Sequence, residues 1–400
     1  MGDLSQTLAR GLGACLLLAL AVGAVADGYQ APTIDPADDA RYLEGAVGTS
    51  PLFWPGELKV AGFRNMDKVS PVRRIEASPE PLSLPEAPRD LSSIVVEFEG
   101  ETESLDEYFT NRHTAGLLVI HDGKVIYERY GLGNTRDSRW VSFSVAKSVV
   151  AMLIGAAIED GYIASTDEKV TRYLPRLADS PYADVTIANL LQMASGVAWN
   201  EDYADPESDI ASASFETLAL YEYLNGQERV GAAGEVFNYN TAETNLAGTL
   251  LRAAIGNNLS TYLEEKIWRP FGMESAAYWQ LTEPGGGEFG GCCINATLRD
   301  YGRIGLFALA EGRLADGTAV LPADWMAQST APSQGFAGYG YFWWLSQAGT
   351  YEASGIFGQG IHIVPEKRLV IAVHSAWEHA GRGEDFNRLG AVYRAISAEF

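Results

Sequence analysis

The fold of this 400-residue chain is predicted from one stretch, Ser144-Val-Ala-Lys-Ser-Val-Val-Ala-Met-Leu-Ile-Gly-Ala-Ala-Ile-Glu-Asp160. Its apolar residues surround the whole helix, and Gly161 follows as a reasonable helix stop. A helix that is apolar on every face is buried at the centre of a domain. We therefore predict a central helix here. Lys147 lies near its start, and burying its charge there costs free energy.

Strand patterns lie on both sides of this helix along the chain. Residues 115–121 and 124–130 flank Asp122-Gly123, and Asp-Gly between two apolar runs predicts a type I′ hairpin. Residues 161–334 alternate short helices with loops. We therefore predict an α/β (α+β) fold, with an antiparallel sheet built from both chain ends, flanking helices and a mostly helical insert. Further predicted elements are a helix at Leu105–Asn111, strands at Tyr339–Leu345, Tyr351–Ser354, Ile361–Val364 and Leu369–His374, and a helix at Asp385–Glu399.

Three segments make up the predicted organisation. Residues 1–26 contain an apolar run that ends in the small residues Ala24-Val25-Ala26. This pattern predicts a cleaved export signal, and an uncleaved anchor is the alternative. Residues 27–92 are proline-rich and predict an arm that packs on the body. Residues 93–400 form the body, with a mixed part at 93–160 and 335–400 and the insert at 161–334. We expect a periplasmic or secreted bacterial protein without stable membrane association after cleavage.

Composition limits the possible partners. The chain carries 29 Lys and Arg against 52 Asp and Glu, a formal net charge of −23, which disfavours binding to nucleic acid. No His-Glu-x-x-His or paired Cys-x-x-Cys motif is present, so we expect neither a metal site nor an organic cofactor. Adjacent cysteines rarely bridge, so Cys292 and Cys293 are expected to be buried free thiols.

A candidate nucleophile opens the central helix. Ser144 and Lys147 are three residues apart, so the amine can reach the hydroxyl on one face of the helix. A lysine in a dry site has a lowered pKa, and a neighbouring base activates a serine hydroxyl. The bare Ser-x-x-Lys motif is weak, and the alternative is a capping serine beside a snorkelling lysine. The hydrophobic helix that it opens favours the catalytic interpretation.

Two further segments offer partners for this pair. Tyr239 precedes the predicted helix Leu246–Ile255, and a phenol beside an ammonium group ionises more easily and can act as a general base. A packing role is the alternative for this tyrosine. The glycine-rich stretch 354–360 lets a ligand approach closely, and a strand N–H there could complete an oxyanion hole with the N–H of Ser144. An ordinary β-turn is the alternative.

Together these residues resemble the serine β-lactamase/penicillin-binding-protein superfamily, in particular its class C-like branch of esterases and 6-aminohexanoate-dimer hydrolases. The resemblance covers about residues 93–400. It rests on these blocks in this order: Ser144-Val-Ala-Lys147, Trp199-Asn-Glu-Asp-Tyr203-Ala-Asp-Pro206, Phe237-Asn-Tyr239 with Asn245, Cys292-Cys-Ile-Asn-Ala-Thr-Leu-Arg-Asp300 and Gly355-Ile-Phe-Gly-Gln359.

The resemblance implies a role for each matched residue. Ser144 would be acylated, Lys147 would activate it, and Tyr239 would act as general base and then as proton donor. The N–H groups of Ser144 and Ile356 would form the oxyanion hole, and Tyr203 would contact the substrate amide. Gly358 and Gln359 would belong to the same oxyanion and substrate-binding loop.

Departures from the family pattern bear on the substrate. The chain has no Lys-Thr-Gly box, and Thr241 stands where a Tyr-x-Asn motif would have asparagine. We therefore expect an exported serine hydrolase that cleaves a small amide or ester through an acyl-enzyme. A β-lactamase or D,D-peptidase is one alternative, and a non-catalytic cell-wall ligand-binding or sensor protein is another.

Overall fold

The computed structural model of the chain describes residues 31–346 and 349–400, so the predicted export signal lies outside the described residues. Within those ranges, no helix combines the length and the hydropathy that crossing a bilayer requires. The helices are α1 (Gly56–Arg64), α2 (Met66–Val69), α3 (Leu105–Asn111), α4 (Val145–Glu159), α5 (Ile187–Leu191), α6 (Asp209–Ser212), α7 (Thr217–Asn225), α8 (Thr241–Ile255), α9 (Leu259–Leu263), α10 (Leu298–Leu309), α11 (Trp325–Ser329) and α12 (Gly383–Ser397).

The strands form two larger sheets and one hairpin. They are β1 (Val72–Ile75), β2 (Val95–Phe98), β3 (Glu101–Ser104), β4 (Thr114–His121), β5 (Lys124–Tyr130), β6 (Arg139–Val141), β7 (Ala277–Gln280), β8 (Ile294–Thr297), β9 (Trp344–Leu345), β10 (Tyr351–Ser354), β11 (Gly360–Val364) and β12 (Leu369–Ser375).

A six-stranded sheet, ordered β5-β4-β12-β11-β10-β9, joins the two ends of the chain as predicted. All its neighbouring strands are antiparallel, and β4 pairs along β12 from His121 opposite Leu369 to Gly116 opposite His374. Asp122 and Gly123 both have positive φ, 49° and 72°, which confirms the type I′ hairpin between β4 and β5. Helix α10 packs on this sheet.

Helix α4 is the buried central helix that the sequence predicts. Its side chains are buried from Val145 to Ala157, and it packs against α8. Gly161 has a φ of 80°, a left-handed conformation suited to the residue that follows a helix end. Lys147 is therefore held in the interior, one turn after Ser144.

A four-stranded sheet, ordered β1-β7-β8-β6, was not expected from the sequence. Strands β7 and β8 fall inside the insert that we predicted to be mostly helical. Each strand of this sheet has three or four residues, and β8 is buried on both faces, so it shows no alternation. The prediction of a strand over Tyr339–Leu345 was also largely wrong, because only β9 forms there; Phe342 has a φ of 59° and interrupts the extended chain.

Helix α1 lies in the proline-rich segment and contributes to the core beneath the start of α4. Phe63 is fully buried, with ring centroids 5.0 Å from Phe143 and 5.1 Å from Phe357. The Nζ atom of Lys59 donates to the carbonyl oxygens of Trp377 and Glu378, at 2.9 and 2.6 Å. The N-terminal helix is thus attached to the loop after β12 and to the loop after β10.

Candidate active site

Ser144 lies in the turn between β6 and α4. Its φ and ψ are −68° and −5°, and its side chain forms no helix-capping hydrogen bond. The preceding residue, Phe143, has a φ of 43°, and ring contacts to Phe63 and Phe357 hold it there. Such a conformation persists only where packing fixes it. The capping role considered for Ser144 is therefore not the one that its side chain adopts.

Lys147 is aimed at Ser144. Its Nζ atom lies 3.2 Å from the Oγ of Ser144, 3.0 Å from the Oγ1 of Thr241 and 2.8 Å from the carbonyl oxygen of Gly291. Burial lowers the pKa of Lys147 to about 8, and the negative charge of Glu201 opposes this change. A substantial fraction of the amine is neutral near pH 8, which is the form that can accept a proton.

Thr241 and Glu201 extend this pair into a hydrogen-bonded chain. The Thr241 hydroxyl donates to the Glu201 carboxylate, and the Thr241 N–H donates to Glu201 Oε2 at 3.0 Å. The same carboxylate accepts the indole N–H of Trp199 and the phenol of Tyr203, the latter at 2.7 Å. Sequence reasoning gave neither Thr241 nor Glu201 a role. The threonine in place of asparagine after Tyr239 was the one available signal.

Tyr239 lies in the loop before α8, beside both members of the pair. Its ring stacks on Trp344 at 5.6 Å, and its centroid is 5.4 Å from the Nζ of Lys147. Burial and then Glu201 raise the pKa of Tyr239, and hydrogen bonding to the Ser144 side chain opposes them. The expectation that the phenol ionises more easily beside Lys147 is therefore wrong. A phenol whose pKa is raised is suited to donating a proton.

Two backbone N–H groups, those of Ser144 and Ile356, are available to a ligand. Among the hydrogen bonds of the described residues, the N–H groups of Ser144 and Ile356 have no protein acceptor. The neighbouring amides are used: Gly355 N–H donates to the Gln359 carbonyl at 2.8 Å, and Phe357 N–H donates to Gln359 Oε1 at 3.1 Å. Both free N–H groups belong to residues that line one cavity. The pair can bind an oxyanion.

Gly358 and Gln359 lie behind this loop, away from the two cavities around the nucleophile. Gln359 is fully buried, and its Nε2 donates to the carbonyl oxygen of Ser375 at 3.0 Å. Gly358 has a φ of 88°, and a Cβ there would lie 2.4 Å from the Trp377 ring. These two residues shape the turn that exposes the Ile356 N–H, whereas neither lines a cavity beside Ser144.

Two cavities share part of their lining, and Ser144 lines the smaller one. The larger, of about 910 Å³, is lined by Tyr239 and Trp344, and the smaller, of about 240 Å³, by Ser144 and Thr241. Tyr203 and Ile356 line both. Tyr203, which sequence reasoning placed against the substrate, therefore lies at the junction, and burial raises its pKa so that the phenol remains neutral.

Cys292 and Cys293 form part of the wall of the smaller cavity. A disulfide joins them, so the expectation of two free thiols was wrong. Cys293 has a φ of 95°, a backbone conformation that a pattern of residue types does not reveal. Among the described residues, no group of three or more His, Cys, Asp or Glu side chains could hold a metal ion.

Comparisons with known proteins identify the family of this chain. The Beta-lactamase family model matches residues 103–393. A 6-aminohexanoate-dimer hydrolase of Paenarthrobacter ureafaciens is 28% identical over 298 residues, which cover 68% of this chain and 75% of that protein.

Solved structures show the same fold. A putative 6-aminohexanoate-dimer hydrolase from Bacillus anthracis has a TM-score of 0.79 at 23% identity, covering 89% of this chain and 97% of that one. A class C beta-lactamase has a TM-score of 0.57 at 18% identity, covering 74% and 93%. The chain belongs to the Beta-lactamase family of serine hydrolases.

Proposed function

We propose that this protein hydrolyses a small amide or ester through a covalent acyl-enzyme on Ser144. The observation that carries the proposal is the buried contact of 3.2 Å between Lys147 Nζ and Ser144 Oγ, in a site where the lysine pKa is about 8. Neutral Lys147 takes the hydroxyl proton while Oγ forms a bond to the substrate carbonyl carbon. The resulting oxyanion accepts hydrogen bonds from the N–H groups of Ser144 and Ile356.

Collapse of this intermediate breaks the bond to the leaving amine or alcohol. Tyr239 donates its proton to the departing atom, and the Lys147 ammonium resupplies the phenol. Water then attacks the acyl carbon while its proton passes to Tyr239 and the phenol proton passes to neutral Lys147. The bond from the acyl carbon to Ser144 Oγ then breaks, and the Lys147 ammonium returns the proton to Oγ, which releases the acid and restores Ser144. Support for Tyr239 as the donor comes from its raised pKa and from the position of its ring, 5.4 Å from the Nζ of Lys147.

Labelling with a fluorophosphonate, read by intact-protein mass spectrometry, tests the nucleophile. We expect one adduct on the unmodified chain and none on Ser144→Ala. Ser148→Ala is the matched control, because Ser148 lies on the same helix but its hydroxyl donates to the Phe342 carbonyl at 2.6 Å. That variant should retain the adduct. An adduct of unchanged yield on Ser144→Ala would remove Ser144 from its proposed role.

The two alternatives differ in what the same site would accept. A β-lactamase or D,D-peptidase would require the carboxylate-binding charge of the missing Lys-Thr-Gly box, so turnover of nitrocefin should be weak beside that of a p-nitrophenyl ester. A ligand-binding or sensor protein would hydrolyse neither.

We also propose export to the periplasm or medium. Comparing the N-terminus of the protein from cells with that of the protein from medium would test cleavage after Ala26.

A further inference from the structure

The two cavities at Ser144 differ in size and in charge, and this difference bears on the substrate of the proposed reaction. A carbonyl oxygen bound between the N–H groups of Ser144 and Ile356 leaves one half of the substrate in each cavity. The smaller cavity, about 240 Å³, lies below the usual range of about 300–1,000 Å³ for ligand pockets. It therefore fits only a compact group.

The smaller cavity is uncharged. Among its described lining residues there is no carboxylate, ammonium, guanidinium or imidazole group. Its wall is formed by Phe143, Ile210, Phe215 and Phe289, together with the Cys292–Cys293 disulfide, which has no thiol to ionise. A charged substrate group placed there would lose its hydration and meet no charged group in the lining. The unpaired acceptor that the lining offers, Gln280 Oε1, is a neutral amide oxygen, and Lys147 Nζ behind the lining is already hydrogen-bonded to Ser144, Thr241 and Gly291.

The carboxylates nearest to this cavity along the chain already have partners. Asp209, next to the lining residue Ile210, accepts the N–H of Asn200 at 2.6 Å and the phenol of Tyr223. Glu201 accepts hydrogen bonds from Thr241, Trp199 and Tyr203, as described above. Neither carboxylate lines the smaller cavity.

The larger cavity has the opposite character. Its lining includes three carboxylates, those of Glu201, Asp202 and Glu352, and one guanidinium, that of Arg382. Arg382 pairs with Glu384 at 3.2 Å, and Glu352 lies 3.2 Å from His362, so Glu201 and Asp202 carry the negative charge of the lining. His379 also lines it, and is mostly exposed. An anionic group would be repelled there, whereas a neutral or cationic group would be accepted.

The position of the proton donor orients the substrate. Tyr239 lines the larger cavity and is absent from the lining of the smaller one. Because the group that protonates the departing atom must contact it, the leaving group lies in the larger cavity. The acyl group then lies in the smaller cavity.

We propose that this enzyme prefers substrates with a compact, uncharged acyl group and a larger, neutral or cationic leaving group. This preference rests on the proposed acyl transfer. It predicts that a linear dimer of an amino acid, with an ammonium ion on its acyl half and a carboxylate on its leaving half, is a poor substrate.

The test varies one half of the substrate at a time. With p-nitrophenol as the common leaving group, we compare hexanoate, 6-aminohexanoate and the mono-ester of adipate, which share a six-carbon acyl chain. We expect kcat/KM for hexanoate to exceed that for each charged ester at least tenfold. With a butyryl group as the common acyl group, kcat/KM for butyrylcholine should exceed kcat/KM for O-butyrylglycolate by a similar factor.

A matched set of variants tests the assignment of the cavities. Ala213 lines the smaller cavity, so a carboxylate there should favour the ammonium ester. The ratio of kcat/KM for the 6-aminohexanoate ester to kcat/KM for the hexanoate ester should be about tenfold higher in Ala213→Asp than in the isosteric Ala213→Asn. Ser214→Asp adds the same charge at an exposed neighbour outside the lining and should leave the ratio unchanged. Thermal melting confirms that each variant folds.

The outcomes separate this inference from the proposed function. Equal reaction of all three acyl esters, or preference for a charged one, overturns the acyl preference while acylation of Ser144 stands. An unchanged ratio in Ala213→Asp overturns the assignment of the acyl group to the smaller cavity. Failure of every ester to acylate Ser144 overturns the proposed function, and the preference with it.

Discussion

Replacing Glu201 with glutamine should shift the pH dependence of acylation to lower pH. The carboxylate lies next to the Thr241 hydroxyl, which is 3.0 Å from Lys147 Nζ, and its negative charge raises the lysine pKa. Without that charge, the ammonium form loses stabilisation and the amine becomes neutral at a lower pH. Glutamine retains a carbonyl oxygen that can still accept the Thr241 N–H.

The size of the shift follows from the geometry. The shared hydroxyl places the two charges within roughly 6 Å, where unit charges interact by about 0.7 kcal/mol in water and about 3 kcal/mol at an effective dielectric constant near 20. Glu201 is partly exposed, which favours the lower half of this range. At 1.36 kcal/mol per pKa unit, we expect the lysine pKa to fall from about 8 to roughly 7.

The assay is the burst of p-nitrophenol release, followed by stopped flow across neutral and alkaline pH. In the proposed mechanism neutral Lys147 accepts the proton, so the acylation rate of the unmodified enzyme should rise with pH through about 8, and that of Glu201→Gln through roughly 7. Asp202→Asn is the matched control: Asp202 lines the larger cavity, but its side chain accepts a hydrogen bond from the N–H of Ala204, at 2.9 Å, rather than from Thr241. An unshifted profile in Glu201→Gln, or an equal shift in the control, would refute the reasoning.

Three further outcomes are expected. Lys147→Arg keeps the charge but has no accessible neutral form, so the acylation rate should fall on the order of 10³-fold, and a loss of less than tenfold would contradict the role of the amine. Burial raises the pKa of Glu243 from 4.5 to about 8, so its contribution to stability is full below pH 4.5 and is lost as pH rises through 8. Glu243→Gln should remove this decline, at most about 5 kcal/mol, in urea unfolding at pH 5 and pH 8; identical pH dependence in both proteins would argue against a buried protonated carboxyl. Alkylation of the denatured, unreduced chain should modify neither Cys292 nor Cys293, and both after reduction; modification of both before reduction would contradict the disulfide.

Patterns that depend on neighbouring residues were predictable from the sequence. The spacing of Ser144 and Lys147, together with the apolar helix that follows, located the pair that the structure brings to 3.2 Å. The hairpin at Asp122-Gly123 was equally predictable, because one dipeptide determines the type of turn. The six-stranded sheet followed from strands at both chain ends.

Features that depend on distant contacts were not predictable. Glu201 reaches Thr241 across 40 positions, and nothing in the local pattern of either residue indicates the contact. The pKa of Tyr239 depends on burial and on Glu201, so its direction could not be obtained from the nearby lysine alone. Strands as short as β7 and β8 gain their stability from pairing with β1 and β6, which lie far away in the chain.

The position of Phe63 has a practical consequence for where the boundaries of an expressed segment are placed. The family match begins at residue 103, yet this ring supports both Phe143, before the nucleophile, and Phe357, after the second oxyanion N–H. A clone cut to the matched segment would carry the proposed catalytic side chains but lack the Phe63 ring that packs beneath them. We therefore expect such a clone to lose hydrolase activity even where the full chain is active.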